Sequence, residues 1–175
     1  MTESSLLKGK RILVVDDEQD ILDVLTEHLS MCQVVTASTF EEAKKLLESR
    51  RFDVAVLDIM GVRGYDLLEI ANQHDIPALM LTAHAFTPDN VIKSVKEGAA
   101  AYVPKEEISR IEDFLNDILI ARAKGESPLV AWQKRLPRSY FQMRFGAAWE
   151  MADREFLDTL RTAIQSRSRA QKKQD

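Results

Sequence analysis

The sequence predicts an α/β fold: five βα units, (βα)5, doubly wound on a parallel sheet, with a short α-helical C-terminal extension. Three observations carry that expectation. Short apolar runs alternate with longer segments of helical period from Arg11 to about Lys124. The runs are continuous rather than alternating, which suits strands buried on both faces. After Gly125 the character of the chain changes.

The first strand is Ile12-Leu13-Val14-Val15, and Ile21, Leu22, Leu25 and Leu29 give the next helix one apolar face. Gln33 to Ala37 reads as a weaker second strand. Ser38 with Glu41 forms a capping box ahead of Phe40, Ala43, Leu46 and Leu47. Val54 to Leu57 and Ala78 to Leu81 are the third and fourth strands. Thr87 before Pro88 sets an N-cap and a proline at the first helical position, and Gly98 suits the stop. Ala100 to Val103 closes the sheet, and Ile108, Ile111, Leu115, Ile118 and Leu119 face the core from the fifth helix.

Beyond Gly125, Ser127-Pro128 starts a short helix over Leu129 to Leu136, Pro137 interrupts it, and a longer helix runs from about Trp149 to Gln165. Six of the twelve aromatic residues lie here: Trp132, Tyr140, Phe141, Phe145, Trp149 and Phe156. That density is too high for a solvated tail. From Arg167 on there is no apolar anchor, and disorder is expected. The organisation is therefore residues 9–124, a helical aromatic-rich segment 126–166 and a basic tail 167–175.

Composition narrows the function classes. Hydrophobic residues are 45% and charged residues 30% of the 175, which excludes a wholly disordered or fibrous chain. One cysteine, Cys32, excludes an internal disulfide and any multi-cysteine metal site. With no signal peptide and no spanning stretch, the expected location is cytoplasmic. The net charge of −4 is uneven: residues 126–175 hold ten Lys or Arg and six Asp or Glu, so residues 1–125 carry −8. An acidic body does not suit nucleic-acid binding.

In an open parallel sheet the ligand site lies beyond the carboxyl ends of the strands. Those ends are Asp16-Asp17, Asp58, Thr82 and Val103-Pro104-Lys105. Taken singly each has a plain reading: a helix-start pair with Asp17 as cap, a loop carboxylate, a strand-end hydroxyl, a solvated charge. Their joint placement points to chemistry. Three carboxylates repel unless a cation sits among them, and all-oxygen ligation favours Mg²⁺. Asp58 then becomes an oxygen nucleophile toward phosphorus, with Lys105 and Thr82 contacting phosphoryl oxygens. His28 and His74 read as structural or surface residues, and His84 as a neighbour of the site entrance. Cys32 reads as a small buried side chain rather than a reactive thiol.

The segments Leu13-Val14-Val15-Asp16-Asp17-Glu18, Val56-Leu57-Asp58-Ile59-Met60, Leu79-Met80-Leu81-Thr82-Ala83 and Gly98-Ala99-Ala100-Ala101-Tyr102-Val103-Pro104-Lys105 resemble the receiver domain of two-component response regulators. The resemblance implies a flavodoxin-like fold, Mg²⁺ held by Asp16, Asp17, Asp58 and the Met60 backbone carbonyl, and a phosphoryl group received on Asp58. The donor it implies is a sensor histidine kinase or phosphotransfer protein. It also makes Thr82 and Tyr102 a switch pair, Thr82 moving toward the phosphoryl group and Tyr102 turning inward. Two departures stand out: Asp58-Ile59-Met60-Gly61-Val62-Arg63-Gly64 lacks the family's proline and reaches its glycine two residues early, and Lys105 is followed by Glu106 instead of proline.

The expected function is a phosphorylation-controlled signalling protein with no catalytic output of its own. The alternative is a transcription regulator using the basic C-terminal extension on DNA. An aspartyl phosphatase needs an acid-base aspartate two residues after the nucleophile, where this chain has Met60. For the extension three uses stay open: a helical hairpin covering the 9–124 unit, completion of its core, or dimerisation and partner docking.

Overall fold

The structure, a computed structural model, describes residues 5–83 and 86–172, with side chains as far as 166. Five parallel strands form one sheet in the order β2-β1-β3-β4-β5: β1 (Arg11–Val15), β2 (Gln33–Ala37), β3 (Val54–Asp58), β4 (Ala78–Thr82) and β5 (Ala101–Pro104). Every residue of β3 and β4 is buried, as their unbroken apolar runs require. Helices α1 (Gln19–His28) and α5 (Ile111–Lys124) pack together on one face, and α2 (Phe40–Ser49), α3 (Gly64–Gln73) and α4 (Pro88–Lys96) cover the other. The (βα)5 doubly wound expectation is met. The order of strands reverses between β1 and β3, so the crevice of the sheet opens at their carboxyl ends.

Helix ends follow local chemistry, with one shift. Thr87 caps α4 by accepting from Asn90 N, and Gly98 takes the positive φ (+90°) that ends it. The cap of α2 is Thr39, not Ser38: its hydroxyl accepts from Glu42 N at 3.2 Å. Either hydroxyl can fill the position; the chain enters the helix one residue later than the Ser38–Glu41 spacing suggests. The fifth helix also starts late, because Lys105–Arg110 forms a 3-10 turn before α5. Every peptide bond among the described residues is trans, the Lys105–Glu106 bond included.

The extension has three helices where two were expected: α6 (Pro128–Arg135), α7 (Arg138–Phe145) and α8 (Ala147–Lys172). Ser127 caps α6 as expected, its hydroxyl accepting from Leu129 N. Pro137 does interrupt the chain, but as the N-cap of α7. Proline has no N–H to lose at a helix start, which the reading of Pro137 as a breaker alone overlooked. Helix α8 passes Ser166 and continues through 167–172 where disorder was expected, while 173–175 lie outside the described residues.

All three helices turn apolar side chains inward. Trp132, Phe141, Trp149 and Phe156 are each at most 1% exposed, and Phe141 stacks on Trp149 at 4.8 Å with Phe156 5.7 Å away. Burying each is worth about 1.5–3 kcal/mol, which offsets the entropy of ordering short helices. Helix α6 lies against α5 and β5, and α8 along α4. The extension thus packs on the sheet unit and shares its core.

Candidate functional site

Each strand end delivers the expected side chain. Asp16 follows β1 and is 1% exposed; Asp58 ends β3 at 4%; Thr82 ends β4, fully buried. Lys105 follows β5, and register pairs Thr82 with Pro104, so the fifth strand hands its lysine to the same edge. The ammonium stands 2.9 Å from Asp16 Oδ2, 3.1 Å from Glu18 Oε1 and 3.6 Å from Asp58 Oδ1. Asp16, Asp58 and Lys105 therefore meet.

Asp17 is exposed at the rim. One carboxylate oxygen from each of Asp16, Asp17 and Glu18 lies within 4.8 Å of the others. Glu18 joins this mutual cluster where the sequence reading had Asp58, which faces Lys105 instead. Sequence reasoning left Glu18 aside, although it was visible as the third acid of an Asp-Asp-Glu run. Nor does Asp17 cap α1. Glu18 holds the cap position, and its N–H donates to Asp16 Oδ1 at 2.9 Å.

Electrostatics sort the acids. Burial raises the Asp58 carboxyl to about 7, the Asp16 charge adds to the rise, Lys105 opposes it, and Asp17 contributes a smaller increase. Burial likewise raises Asp16, against the Glu18 N–H and the lysine, both of which favour its charged form. Burial alone would depress Lys105; its hydrogen bond to Asp16 and the charges of Asp58 and Asp16 outweigh that and hold it above its ordinary value. The site thus holds a firmly protonated lysine among an excess of carboxylates.

The donor set fits a hard divalent ion. Asp16 Oδ2 is buried, 2.9 Å from the ammonium. Three carboxylates, of Asp16, Glu18 and Asp58, surround one ammonium, Asp17 stands beside Asp16 and Glu18, and all-oxygen donors suit Mg²⁺. Met60 lies on the loop between Asp58 and Gly61, its side chain 56% exposed.

That loop is short and strained into shape. Gly61 has φ +84°, and a Cβ there would collide with the Asp17 carboxylate. Gly64 packs against the Asp58 carbonyl with no room for a side chain. Between them Arg63 occupies the left-handed region at φ 55°, held by a hydrogen bond from Nε to Asp66 (2.9 Å) and by its guanidinium over the Phe40 ring (4.1 Å). Left-handed residues at 61 and 63 thus turn the chain between Asp58 and α3.

Tyr102 is 1% exposed and turned inward, its ring stacked on Phe86 at 5.8 Å. Burial raises its phenol, against a hydrogen bond to the Thr87 backbone. The remaining candidates stay apart: His28 is 3.8 Å from Glu112, His74 caps the end of α3, and His84 lies outside the described residues. Cys32 is half-buried, donates to the Leu7 carbonyl, and burial raises its thiol, the opposite of activation.

Comparison with known proteins agrees with this geometry. Residues 12–116 match the family model described as the response regulator receiver domain. The two-component response regulator ARR10 of Arabidopsis thaliana is 37% identical over 115 residues, covering 62% of this chain and 20% of that protein. The heme response regulator HssR of Staphylococcus aureus is 40% identical over 142 residues, 75% of this chain and 62% of that protein. The chain therefore spans less than two thirds of either relative. Among solved structures, a Francisella response regulator receiver domain superposes with TM-score 0.59 at 26% identity, over 65% of this chain and 99% of that one. A receiver domain from Clostridium thermocellum does so with TM-score 0.58 at 28% identity, over 65% and 97%. No helix among the described residues is long and apolar enough to cross a membrane.

Proposed function

The chain belongs to the response regulator receiver family, and from that premise we propose that Asp58 accepts a phosphoryl group from a sensor histidine kinase or phosphotransfer protein. Residues 9–124 act as the receiver unit. Asp16, Asp17, Asp58 and the Met60 carbonyl would hold Mg²⁺, with Glu18 beside them. Bound there, Mg²⁺ would offset the charge of the crowded acids; an oxygen of the ionised Asp58 would form the new bond to phosphorus as the donor's own bond to phosphorus breaks and its electron pair leaves with the donor, while Lys105 and Thr82 receive the phosphoryl oxygens. Thr82 and Tyr102 report the change, and the output is protein contact rather than catalysis.

The observation that carries this reading is the Lys105 ammonium gathered by Asp16, Glu18 and Asp58 at the carboxyl ends of three strands. Against a DNA-binding reading stands the packing of the extension's described residues. Its aromatic residues face inward, and Arg135, Arg138 and Arg144 are engaged by Asp117, Asp153 and Glu106. The test is intact mass after incubation with a small phosphodonor and Mg²⁺. One phosphoryl group should add to the wild type and none to Asp58→Asn, and excess chelator should stop the reaction. Unchanged labelling of Asp58→Asn overturns the assignment.

A further inference from the structure

The segment that carries Lys105 is gripped by the C-terminal extension at three points. Three residues before it, the Tyr102 carbonyl accepts from the Trp132 indole N–H at 2.8 Å. On the next residue, Glu106 pairs with Arg144 of α7 at 2.6 Å. At the end of the 3-10 turn, Arg110 Nη2 donates to the Arg135 carbonyl at 3.4 Å. Arg144 also lies over the ring of Phe86, 5.3 Å from its centroid, and Phe86 stacks on Tyr102 and packs at a tilt against Phe145. Phe86 stands four residues after Thr82. The same arginine therefore touches the two segments that leave β4 and β5 beside the site.

From this arrangement we infer that Arg144, acting through Glu106, is a positioning residue for Lys105, and that the extension braces the phosphoryl-binding lysine. The inference rests on the reading of Asp58 as phosphoacceptor. Its physical reason is the exit of β5: the residue after Lys105 is an ordinary glutamate on a trans bond, and the local backbone holds the turn by one short 3-10 helix, Lys105–Arg110. A lysine side chain has many rotamers, and its reach to Asp58 depends on where the turn places its Cα. The Glu106–Arg144 pair supplies a further restraint from outside the turn.

The test uses the full-length chain, a small phosphodonor with Mg²⁺, and the rate of mass gain. Arg144→Ala and Glu106→Ala should each slow labelling by about two- to fivefold, the scale of a half-exposed ion pair. The double variant should be no slower than either single one. Glu106→Arg with Arg144→Glu should recover most of the rate. In the single variants the Lys105 side-chain NMR signal should move toward that of a solvated lysine while the rest of the spectrum is kept. Lys96→Ala is the control: its bridge to Glu155, at 3.1 Å, ties α8 to α4 away from Lys105, and the rate should stay at the wild-type value.

Wild-type rates in Arg144→Ala with an unmoved Lys105 signal overturn the brace. So does equal slowing by Lys96→Ala, which would mean that docking of the extension in general is responsible. Failure of the wild type to label, or labelling that survives Asp58→Asn, instead overturns the underlying assignment.

Discussion

The Trp132 indole N–H donates to the Tyr102 carbonyl across 2.8 Å in a buried setting, joining the first helix of the extension to the edge strand of the sheet. Trp132 is 1% exposed, with the Phe141 ring centroid 5.9 Å and the Phe156 centroid 6.1 Å from its own. Trp132→Ala removes this anchor and opens a cavity, a loss of about 3–5 kcal/mol. Trp132→Phe, which keeps a ring and loses the donor, should cost about 1–3 kcal/mol. Urea unfolding of the full chain measures both, and an alanine variant as stable as the wild type would mean that the extension does not share the core.

How far this was legible follows from the kind of signal each part carries. The strands of the 9–124 unit announce themselves because Val54 to Leu57 and Ala78 to Leu81 are buried on both faces and admit no polar residue. Their carboxyl ends then fix where Asp16, Asp58, Thr82 and Lys105 must gather, since a parallel sheet directs all such ends to one edge. The part that Glu18 plays depends on side-chain reach across from β1 to β5, which no local pattern encodes. Helix α7 was hidden for another reason: Arg138–Phe145 has little periodicity of its own, and only Phe141 in it is buried. Its docking is decided by aromatic partners 8 to 15 residues away, Trp149 and Phe156.

Lys105 is the ammonium among Asp16, Glu18 and Asp58, so Lys105→Met should have two separable effects. With phosphodonor and Mg²⁺, labelling of Asp58 should slow by about a hundredfold, the usual loss when one donor to a developing charge is removed. Without metal, the buried acids lose their compensating charge and the fold loses stability. Added Mg²⁺ should then raise the unfolding midpoint of the variant more than that of the wild type. Mass spectrometry and thermal unfolding check the two arms. A variant that labels at the wild-type rate would remove Lys105 from the phosphoryl site.

Gly61→Ala tests the shortened loop. The position has φ +84°, where an L side chain is strained by about 1–2 kcal/mol, and the new methyl would push on the Asp17 carboxylate. The expected outcome is weaker Mg²⁺ binding, seen as a higher Mg²⁺ concentration for half-maximal labelling, with only a small fall in melting temperature. Gly9→Ala is a suitable comparison. It has φ +76° and nothing within 4 Å of the added methyl, so it carries backbone strain without touching the acids. Equal Mg²⁺ requirements in the two variants would show that Asp17 takes no part in holding the ion.

The raised Asp58 carboxyl predicts an inverted pH dependence for the metal-free protein. Its folded value is about 7 against 3.8 for the free side chain, so between those limits the folded chain binds the proton more tightly than the unfolded one. The contribution is fully present below about pH 4 and is lost as pH rises through 7. Asp16, also raised, acts in the same direction. Asp153, lowered by its hydrogen bond from Arg138, works the other way and matters only as pH falls below 3.8. In chelator, the unfolding midpoint should therefore decline from pH 5 to pH 8. Mg²⁺ should flatten that decline, because it binds the ionised acids of the folded state. Asp58→Asn should flatten it without metal, since an amide has no proton to lose. A wild-type midpoint that rises across this window, or an asparagine variant with the same slope, would show that the proton on Asp58 does not set the pH dependence of the metal-free fold.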